Sequence, residues 1–152
     1  MIETRTIPGD SPDALMLVGA MFDDVVAAYG TDLGPGPSAA PAEFDPPGGA
    51  FVAVYEDGRA IAGGGVKRLD GETGEIKRMY VVPGARGRGL SRRLLAALED
   101  AARELGYRRV RLDTGAHEAQ AAARHLYPSA GYHEIDDYNG NPYASYWAEK
   151  VI

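Results

Sequence analysis

Apolar residues recur along this chain with two different spacings, which predict the order of its secondary-structure elements. Short apolar or alternating runs rich in β-branched residues indicate strands, whereas apolar residues three and four positions apart indicate helices. Strand-like segments are 3–7, 51–55, 59–69, 75–82, 109–113, 132–136 and 143–151. Helix-like segments are 12–29, 90–105 and 118–130. The predicted order, β-α-βββ-α-β-α-ββ, belongs to the α/β (α+β) class: a mixed, mostly antiparallel twisted sheet of six to seven strands flanked by helices.

Glycine and proline mark the boundaries of these elements. Asp57 and Gly58 predict a tight hairpin between the second and third strands. The three consecutive glycines at 63–65 predict a bulge or a close approach to the backbone. Residues 34–49 are rich in proline and glycine, which predicts a long loop with at most one helical turn at 42–44. Loops of this length are usually functional, and we leave open whether this one is an acceptor-site lid or only a mobile connection.

Between the fourth strand and the second helix, residues 81–93 read V-V-P-G-A-R-G-R-G-L-S-R-R. A helix N-terminus already carries partial positive charge and unpaired N–H groups, so arginines clustered there are unfavourable without an anion. Phosphate is the usual guest at such an end. The glycines remove side chains that would keep the backbone from approaching it. The segment therefore predicts an anion-binding turn.

Length and charge narrow the kind of protein that carries this turn. A chain of 152 residues predicts one domain over 1–152, and a net charge of −6 argues against a nucleic-acid binder. The chain has no cysteine, and its N-terminal residues show no leader pattern. No apolar run is long enough for a membrane span. We expect a soluble cytoplasmic protein without nucleic-acid or membrane partners. The three histidines, His117, His125 and His133, lack the neighbours of a metal site, so we expect no metal.

Two familiar phosphate motifs do not fit the turn. Gly84 and Gly89 have P-loop spacing, but Leu90 and Ser91 follow where Lys and Ser or Thr are required. A dinucleotide fingerprint would place its third glycine at Arg92, and the preceding strand belongs to an antiparallel meander. Nucleotide hydrolysis and dinucleotide binding are therefore disfavoured.

A third pattern does fit. Arg86, Gly89 and Ser91 resemble the acetyl-CoA motif Arg/Gln-x-x-Gly-x-Gly/Ala of the GNAT family of N-acetyltransferases, with serine at the last position. The segment E-I-x-x-M-Y-V-x-P at 75–83 resembles the fourth strand of that family, and L-Y-x-x-x-G-Y at 126–132 resembles its "LY…GF" segment. The order of elements is similar over essentially the whole chain. The loop at 34–49 replaces a helix that the family often has, so the resemblance does not determine the shape of the acceptor site.

The resemblance implies acetyl-CoA as co-substrate and assigns its contacts. Backbone N–H groups of the turn would hold the pyrophosphate, and the fourth strand would hold the acetyl oxygen and the pantetheine arm at a bulge. Gln120 stands where the family often has a pantetheine-binding asparagine. The implied cofactor-binding residues are Met79, Tyr80, Val81, Arg86, Gly87, Arg88, Gly89, Leu90, Ser91, Gln120 and Tyr127.

The resemblance also suggests catalytic residues. Tyr127 matches the tyrosine that donates a proton to the departing thiolate; its periodicity alone would make it a core aromatic. Glu75 matches the position of a catalytic glutamate in some members. Other members use a water chain or another carboxylate, and the alternative interpretation of Glu75 is a solvent-facing strand residue paired with Lys67 or Lys77.

The acceptor is the least determined part. Arg78, Asp137 and Tyr138 are the substrate-side candidates, because an arginine and an aspartate would suit a small zwitterion. We expect direct transfer to the primary amine of a small molecule that is amino-acid-like or polyamine-like. A protein N-terminus or lysine, and a non-catalytic CoA sensor of the same fold, remain alternatives. A homodimer is left open.

Overall fold

A seven-stranded sheet runs through the computed structural model, which describes residues 1–29, 40–115 and 121–152. The strands are β1 (Ile2–Ile7), β2 (Ala50–Glu56), β3 (Arg59–Arg68), β4 (Thr73–Val81), β5 (Arg109–Thr114), β6 (His133–Ile135) and β7 (Tyr146–Val151). The helices are α1 (Pro12–Tyr29), α2 (Leu90–Glu104) and α3 (Ala121–Ser129), with short 3-10 helices at Pro41–Phe44 and Pro83–Ala85. The strand order is β1-β2-β3-β4-β5-β7-β6, and only the β4–β5 pair is parallel. The predicted fold class and element order are confirmed.

Two apolar clusters, one on each face of the sheet, hold the helices. The larger cluster buries the apolar stripe of α2, including Leu94 and Leu98, against β2, β3 and β4. The smaller cluster packs Leu17 of α1 with Phe44 and Phe51. Burying a large apolar side chain contributes roughly 1.5–3 kcal/mol, so these clusters fix the helices relative to the sheet.

The glycine run in β3 makes room for two of these side chains. A Cβ on Gly65 would lie 2.7 Å from Cε1 of Phe44, and a Cβ on Gly63 would lie 2.7 Å from Cδ1 of Leu17. Such contacts are not tolerated without movement, so the close approach predicted for this run is confirmed.

Strands β4 and β5 separate along their length, which opens the sheet. Their ladder pairs residues 73–75 with residues 109–111 and goes no further. On its other side β4 bulges, because Gly64 of β3 lies opposite both Arg78 and Met79. A bulge leaves backbone groups out of the ladder and bends its strand. The two irregularities together create a split in the sheet next to Met79.

Some predicted boundaries differ from the observed ones. β7 begins at Tyr146 and not at residue 143, because the side-chain oxygen of Asn141 accepts a hydrogen bond from the Tyr143 N–H and holds a turn there. Of the long loop at 34–49, the described part contains a 3-10 turn over Pro41–Phe44. The first residues of the predicted 118–130 helix lie outside the described residues, as do Gln120 and His117.

Candidate active site

A cleft of about 690 Å³ lies where β4, the turn after it, and the helices α1, α2 and α3 meet. Nine of the residues predicted from the sequence line it: Met79, Tyr80, Val81, Arg86, Gly87, Gly89, Leu90, Ser91 and Tyr127. Helices α1 and α3 contribute lining residues that were not among the predicted site residues: Met21, Asp24, Val25, Ala28, Ala122, Ala123, His125, Leu126 and Ser129. The cleft thus joins the glycine- and arginine-rich turn to the buried tyrosine of α3.

The turn at 86–91 exposes backbone N–H groups at the start of α2. Gly87 and Gly89 have φ values of 78° and 76°, a region that side-chain-bearing residues rarely adopt. Gly89 is the N-cap of α2, and no side chain caps that end. The first N–H groups of a helix have no intrahelical partner. The uncapped end, together with open space above both glycines, fits a phosphate group in the way the sequence predicts.

The arginines around the turn already have protein partners. Arg86 donates from Nε to the Val81 carbonyl at 2.9 Å and from Nη2 to Asp24 at 3.0 Å. Arg88 forms an ion pair with Glu56, one hydrogen bond of which is 3.1 Å long, and this contact lowers the pKa of the Glu56 carboxyl. The carboxylate of Asp24 is exposed and that of Glu56 is partly exposed, so an incoming phosphate competes with weakly held surface ion pairs.

Tyr127 places its hydroxyl beside the bulge in β4. Its side chain is buried, and the hydroxyl lies 3.8 Å from Sδ of Met79. The ring also contacts Tyr132, with centroids 5.8 Å apart. Burial raises the pKa of the Tyr127 phenol above its ordinary value, and the charge of Asp113 raises it further. The phenol therefore keeps its proton at neutral pH and is available as a donor.

The bulge itself holds a strained residue. Arg78 has φ of 64°, and the one other side-chain-bearing residue with positive φ in the described chain is Asp57 of the hairpin turn. Such strain costs about 1–3 kcal/mol and is concentrated at functional sites. The residue that follows this left-handed position, Met79, borders the cleft.

The Arg78 guanidinium lies over two aromatic rings. It is 5.6 Å from the ring centroid of Phe22 on α1 and 5.0 Å from that of Phe44. The side chain is partly buried, and this burial lowers the pKa of the guanidinium from its ordinary value. Arg78 does not line the large cleft; it lies at the bulge, beside α1.

Glu75 is buried, so the solvent-facing alternative is wrong for this side chain, although the pairing with both lysines is confirmed. Only 3% of the residue is exposed. Its carboxylate lies 3.7 Å from Lys67 Nζ and 3.6 Å from Lys77 Nζ. The Tyr138 hydroxyl donates to Oε2 at 2.7 Å, and Nδ2 of Asn139 donates to the same oxygen at 3.2 Å. Glu75 does not line the large cleft.

The two loop candidates for substrate binding make internal contacts. Oδ1 of Asp137 accepts hydrogen bonds from the backbone N–H groups of Asn139 at 2.9 Å and Gly140 at 2.7 Å. Tyr138 binds Glu75, and the Arg111 guanidinium lies 5.6 Å from its ring centroid. These contacts order the loop between β6 and β7; the predicted substrate roles of Asp137 and Tyr138 stay predictions.

Residues 1–29, 40–115 and 121–152 contain no group of three or more His, Cys, Asp or Glu side chains that could hold a metal ion. Within the same ranges, no helix is both long enough and apolar enough to cross a membrane.

The split sheet, the uncapped helix end, the bulged strand and the buried phenol lie around one cleft, as the resemblance to the GNAT family of acyltransferases predicts. The family model of the Acetyltransferase (GNAT) family matches residues 14–132. Over 129 residues the chain is 32% identical to YjgM of Escherichia coli, described as an uncharacterized N-acetyltransferase; the match covers 78% of this chain and 76% of that protein.

Solved structures agree with this match at the level of the fold. A GNAT-family acetyltransferase from Staphylococcus aureus superposes with a TM-score of 0.80 at 15% identity, covering 99% of each chain. N-acetylglutamate synthase from Neisseria gonorrhoeae, in complex with coenzyme A and N-acetyl-glutamate, gives a TM-score of 0.72 at 19% identity; the match covers 99% of this chain and 35% of that one. The chain belongs to the GNAT acetyltransferase family, and it is an acetyltransferase.

Proposed function

We propose that this chain, acting as one domain over residues 1–152, moves an acetyl group from acetyl-CoA directly to the primary amine of a small molecule. The observation that carries the proposal is the cleft in which the uncapped end of α2, the bulge at Met79 and the Tyr127 hydroxyl meet. When bound there, acetyl-CoA supplies an acetyl group activated as a thioester. Coenzyme A in the N-acetylglutamate synthase structure supports this choice of donor.

The turn at 86–91 is the proposed pyrophosphate site. The backbone N–H groups of residues 87–91 bind the phosphate oxygens, and the positive φ of Gly87 and Gly89 presents those groups to the cleft. Arg86 and Arg88 add positive charge by exchanging surface carboxylates for phosphate. Gln120, which lies outside the described residues, keeps its predicted role at the pantetheine arm.

The bulge in β4 is the proposed site of the reacting carbonyl. Backbone N–H groups that the bulge withholds from the ladder, above all that of Met79, donate to the carbonyl oxygen, and those of Tyr80 and Val81 lie along the pantetheine arm. A preorganised donor of this kind is worth about 3 kcal/mol of the barrier. The donor is a backbone group, so the identity of the Met79 side chain matters only for packing.

Tyr127 is the proposed general acid. The nitrogen–carbon bond forms as the carbon–sulfur bond breaks, and the phenol gives its proton to the sulfur. The amine gives one proton to a base, so that the products are an amide and a thiol. Burial keeps the phenol protonated before the transfer. General acids typically contribute about 10²–10⁴-fold to the rate.

Glu75 stays the proposed base, although its carboxylate must give up a contact when it accepts a proton. Four donors contact its carboxylate among the described residues: the hydroxyl of Tyr138, the amide of Asn139 and the amino groups of Lys67 and Lys77. Accepting a proton requires the loss of at least one of these contacts.

For the acceptor we propose an amino-acid-like or polyamine-like molecule. A guanidinium held over two aromatic rings is oriented for a planar carboxylate, and Arg78 is such a group immediately before the proposed carbonyl site. The N-acetyl-glutamate bound by the structural neighbour supports an acceptor that carries a carboxylate.

Release of the CoA thiol over a panel of primary amines tests this proposal. We expect amine-dependent thiol release, with higher kcat/KM for amines that carry a carboxylate, and an Arg78→Lys variant that loses this preference. Turnover on peptide N-termini or lysines alone would contradict the small-molecule acceptor. Acetyl-CoA binding without turnover on any amine would contradict the transfer.

A further inference from the structure

One side chain bridges β4 and β5 beside the end of their ladder. Asn139, in the loop between β6 and β7, donates from Nδ2 to Oε2 of Glu75 on β4 at 3.2 Å and to Oδ2 of Asp113 on β5 at 2.6 Å. Pairing between the two strands ends at residues 75 and 111. The carboxamide thus joins the two strands where the backbone ladder between them stops.

The orientation of this carboxamide follows from its neighbours. The Trp147 indole N–H, which can only donate, lies 3.0 Å from Oδ1 of Asn139. The backbone N–H of Asn141 donates to the same oxygen at 3.1 Å. Oδ1 therefore faces two donors, and Nδ2 faces two carboxylates.

The bridge also compensates two like charges. Glu75 and Asp113 both contact Lys77 Nζ, at 3.6 Å and 3.4 Å, and Asn141 Nδ2 donates to Asp113 at 3.3 Å. Buried carboxylates that share donors in this way are held at fixed positions. If the bridging amide is removed, repulsion between the two carboxylates favours separation of the strands that carry them.

The bridge is connected to the proposed reaction site. Asp113 acts electrostatically on the phenol of Tyr127. The hydroxyl of Tyr127 lies against Met79 at the bulge of β4, four residues after Glu75 along the strand. Tyr127 packs in the same apolar cluster as Leu112 of β5, and Met79 of β4 packs against that cluster. A change in the separation of β4 and β5 therefore changes the space between Met79 and Tyr127.

We propose that the Asn139 carboxamide is a positioning residue that fixes the width of the split between β4 and β5 and thereby restricts the enzyme to short acyl groups. This rests on the proposed function, in which the reacting carbonyl lies at the bulge in β4, next to that split. In this proposal Asn139 contacts neither the thioester nor the amine; it acts through the carboxylates of Glu75 and Asp113.

The test is the acyl preference of Asn139→Leu, which keeps the side-chain size but makes no hydrogen bonds. Misplacement of the thioester lowers kcat with acetyl-CoA by about tenfold. A wider split admits one more methylene, so the ratio of kcat/KM for propionyl-CoA to that for acetyl-CoA rises by about fivefold or more. The Kd for CoA changes by no more than about twofold, because the phosphate site lies on a different element.

Lys150→Met is the matched control. It breaks a partly buried ion pair at 2.9 Å between Lys150 of β7 and Glu99 of α2, and this pair is separate from the hydrogen bonds of Asn139. This control loses stability while its acyl preference is unchanged, which separates positioning from general destabilisation. Asn139→Ser, in which water can replace the amide, provides a second variant should Asn139→Leu fail to fold.

If the wild-type protein is active and the folded Asn139 variants keep its ratio of kcat/KM for propionyl-CoA to that for acetyl-CoA, the proposed role of Asn139 is refuted. An equal rise of this ratio in Lys150→Met also refutes the proposed role of Asn139. Wild-type protein without turnover on any amine refutes the proposed function instead, and with it the acyl restriction.

Discussion

Replacing Tyr127 with phenylalanine removes the proposed general acid while leaving its surroundings in place. The ring keeps its contact with Tyr132, and the hydroxyl gives up a long 3.8 Å contact with the sulfur of Met79. A hydrogen bond contributes roughly 0.5–1.5 kcal/mol to stability, and this one is long, so we expect a folding loss of no more than about 1 kcal/mol.

The expected loss of rate is larger than the loss of stability. Without the phenol the sulfur leaves as a free thiolate, and we expect kcat to fall at least tenfold and by about 10²-fold for a typical general acid, or about 2.7 kcal/mol of barrier. Affinity for CoA stays within about twofold, because the turn at 86–91 is not altered. The effect on catalysis therefore separates from effects on binding and folding.

The assay is initial-rate thiol release with a saturating amine, together with calorimetric titration of CoA and thermal unfolding. Tyr55→Phe is the control: its hydroxyl binds Asp13 at 2.7 Å in the smaller apolar cluster, away from the cleft. We expect this control to turn over like the wild type. An unchanged kcat in Tyr127→Phe would refute the assignment of the acid.

Three further predictions concern Gly65, Tyr55 and Glu75. Gly65→Ala forces a Cβ against the Phe44 ring and lowers the free energy of unfolding by about 1–3 kcal/mol in thermal unfolding, whereas Gly71→Ala, which meets open space, leaves it unchanged. Burial and Asp13 raise the pKa of Tyr55 to about 12, whereas a tyrosine in the unfolded chain titrates near 10. The unfolded chain therefore binds fewer protons between about pH 10 and pH 12, and the free energy of unfolding falls as the pH rises through this range. Tyr55→Phe makes this decrease in the free energy of unfolding shallower. Glu75→Gln lowers kcat at neutral pH by about 10²-fold, and kcat of the variant recovers toward about pH 9, where the amine loses its proton without a base. A pH profile of the variant parallel to that of the wild type would contradict the assignment of Glu75 as the base.

The features predicted from local sequence are those whose cause is local. The turn at 86–91 was predicted because the steric freedom of Gly87 and Gly89 and the position of the arginines at a helix start are properties of adjacent residues. The close approach at 63–65 was predicted for the same reason. The ring that requires it, Phe44, could not be identified, because it comes from a separate segment of the chain.

The contacts of the acceptor side depend on distant residues and could not be predicted. The partners of Glu75 are eight residues or fewer away for Lys67 and Lys77 but more than sixty residues away for Tyr138 and Asn139. The short sequence separation predicted the lysine partners of Glu75, whereas its partners in the loop between β6 and β7 could not be predicted. An available signal was the run D-D-Y-N-G-N at 136–141, whose Asp and Asn side chains favour turns stabilised by their own hydrogen bonds.

Comparative titration of acetyl-CoA and S-acetylpantetheine tests the central claim most directly. The second compound has the same thioester and pantetheine arm but lacks the nucleotide part of acetyl-CoA, which includes the pyrophosphate. If the uncapped end of α2 and the glycines at 87 and 89 hold the pyrophosphate, acetyl-CoA binds at least about 10²-fold more tightly, and the difference shrinks as salt screens the phosphate contacts. Equal affinity for the two compounds, or no binding of acetyl-CoA, would contradict the account.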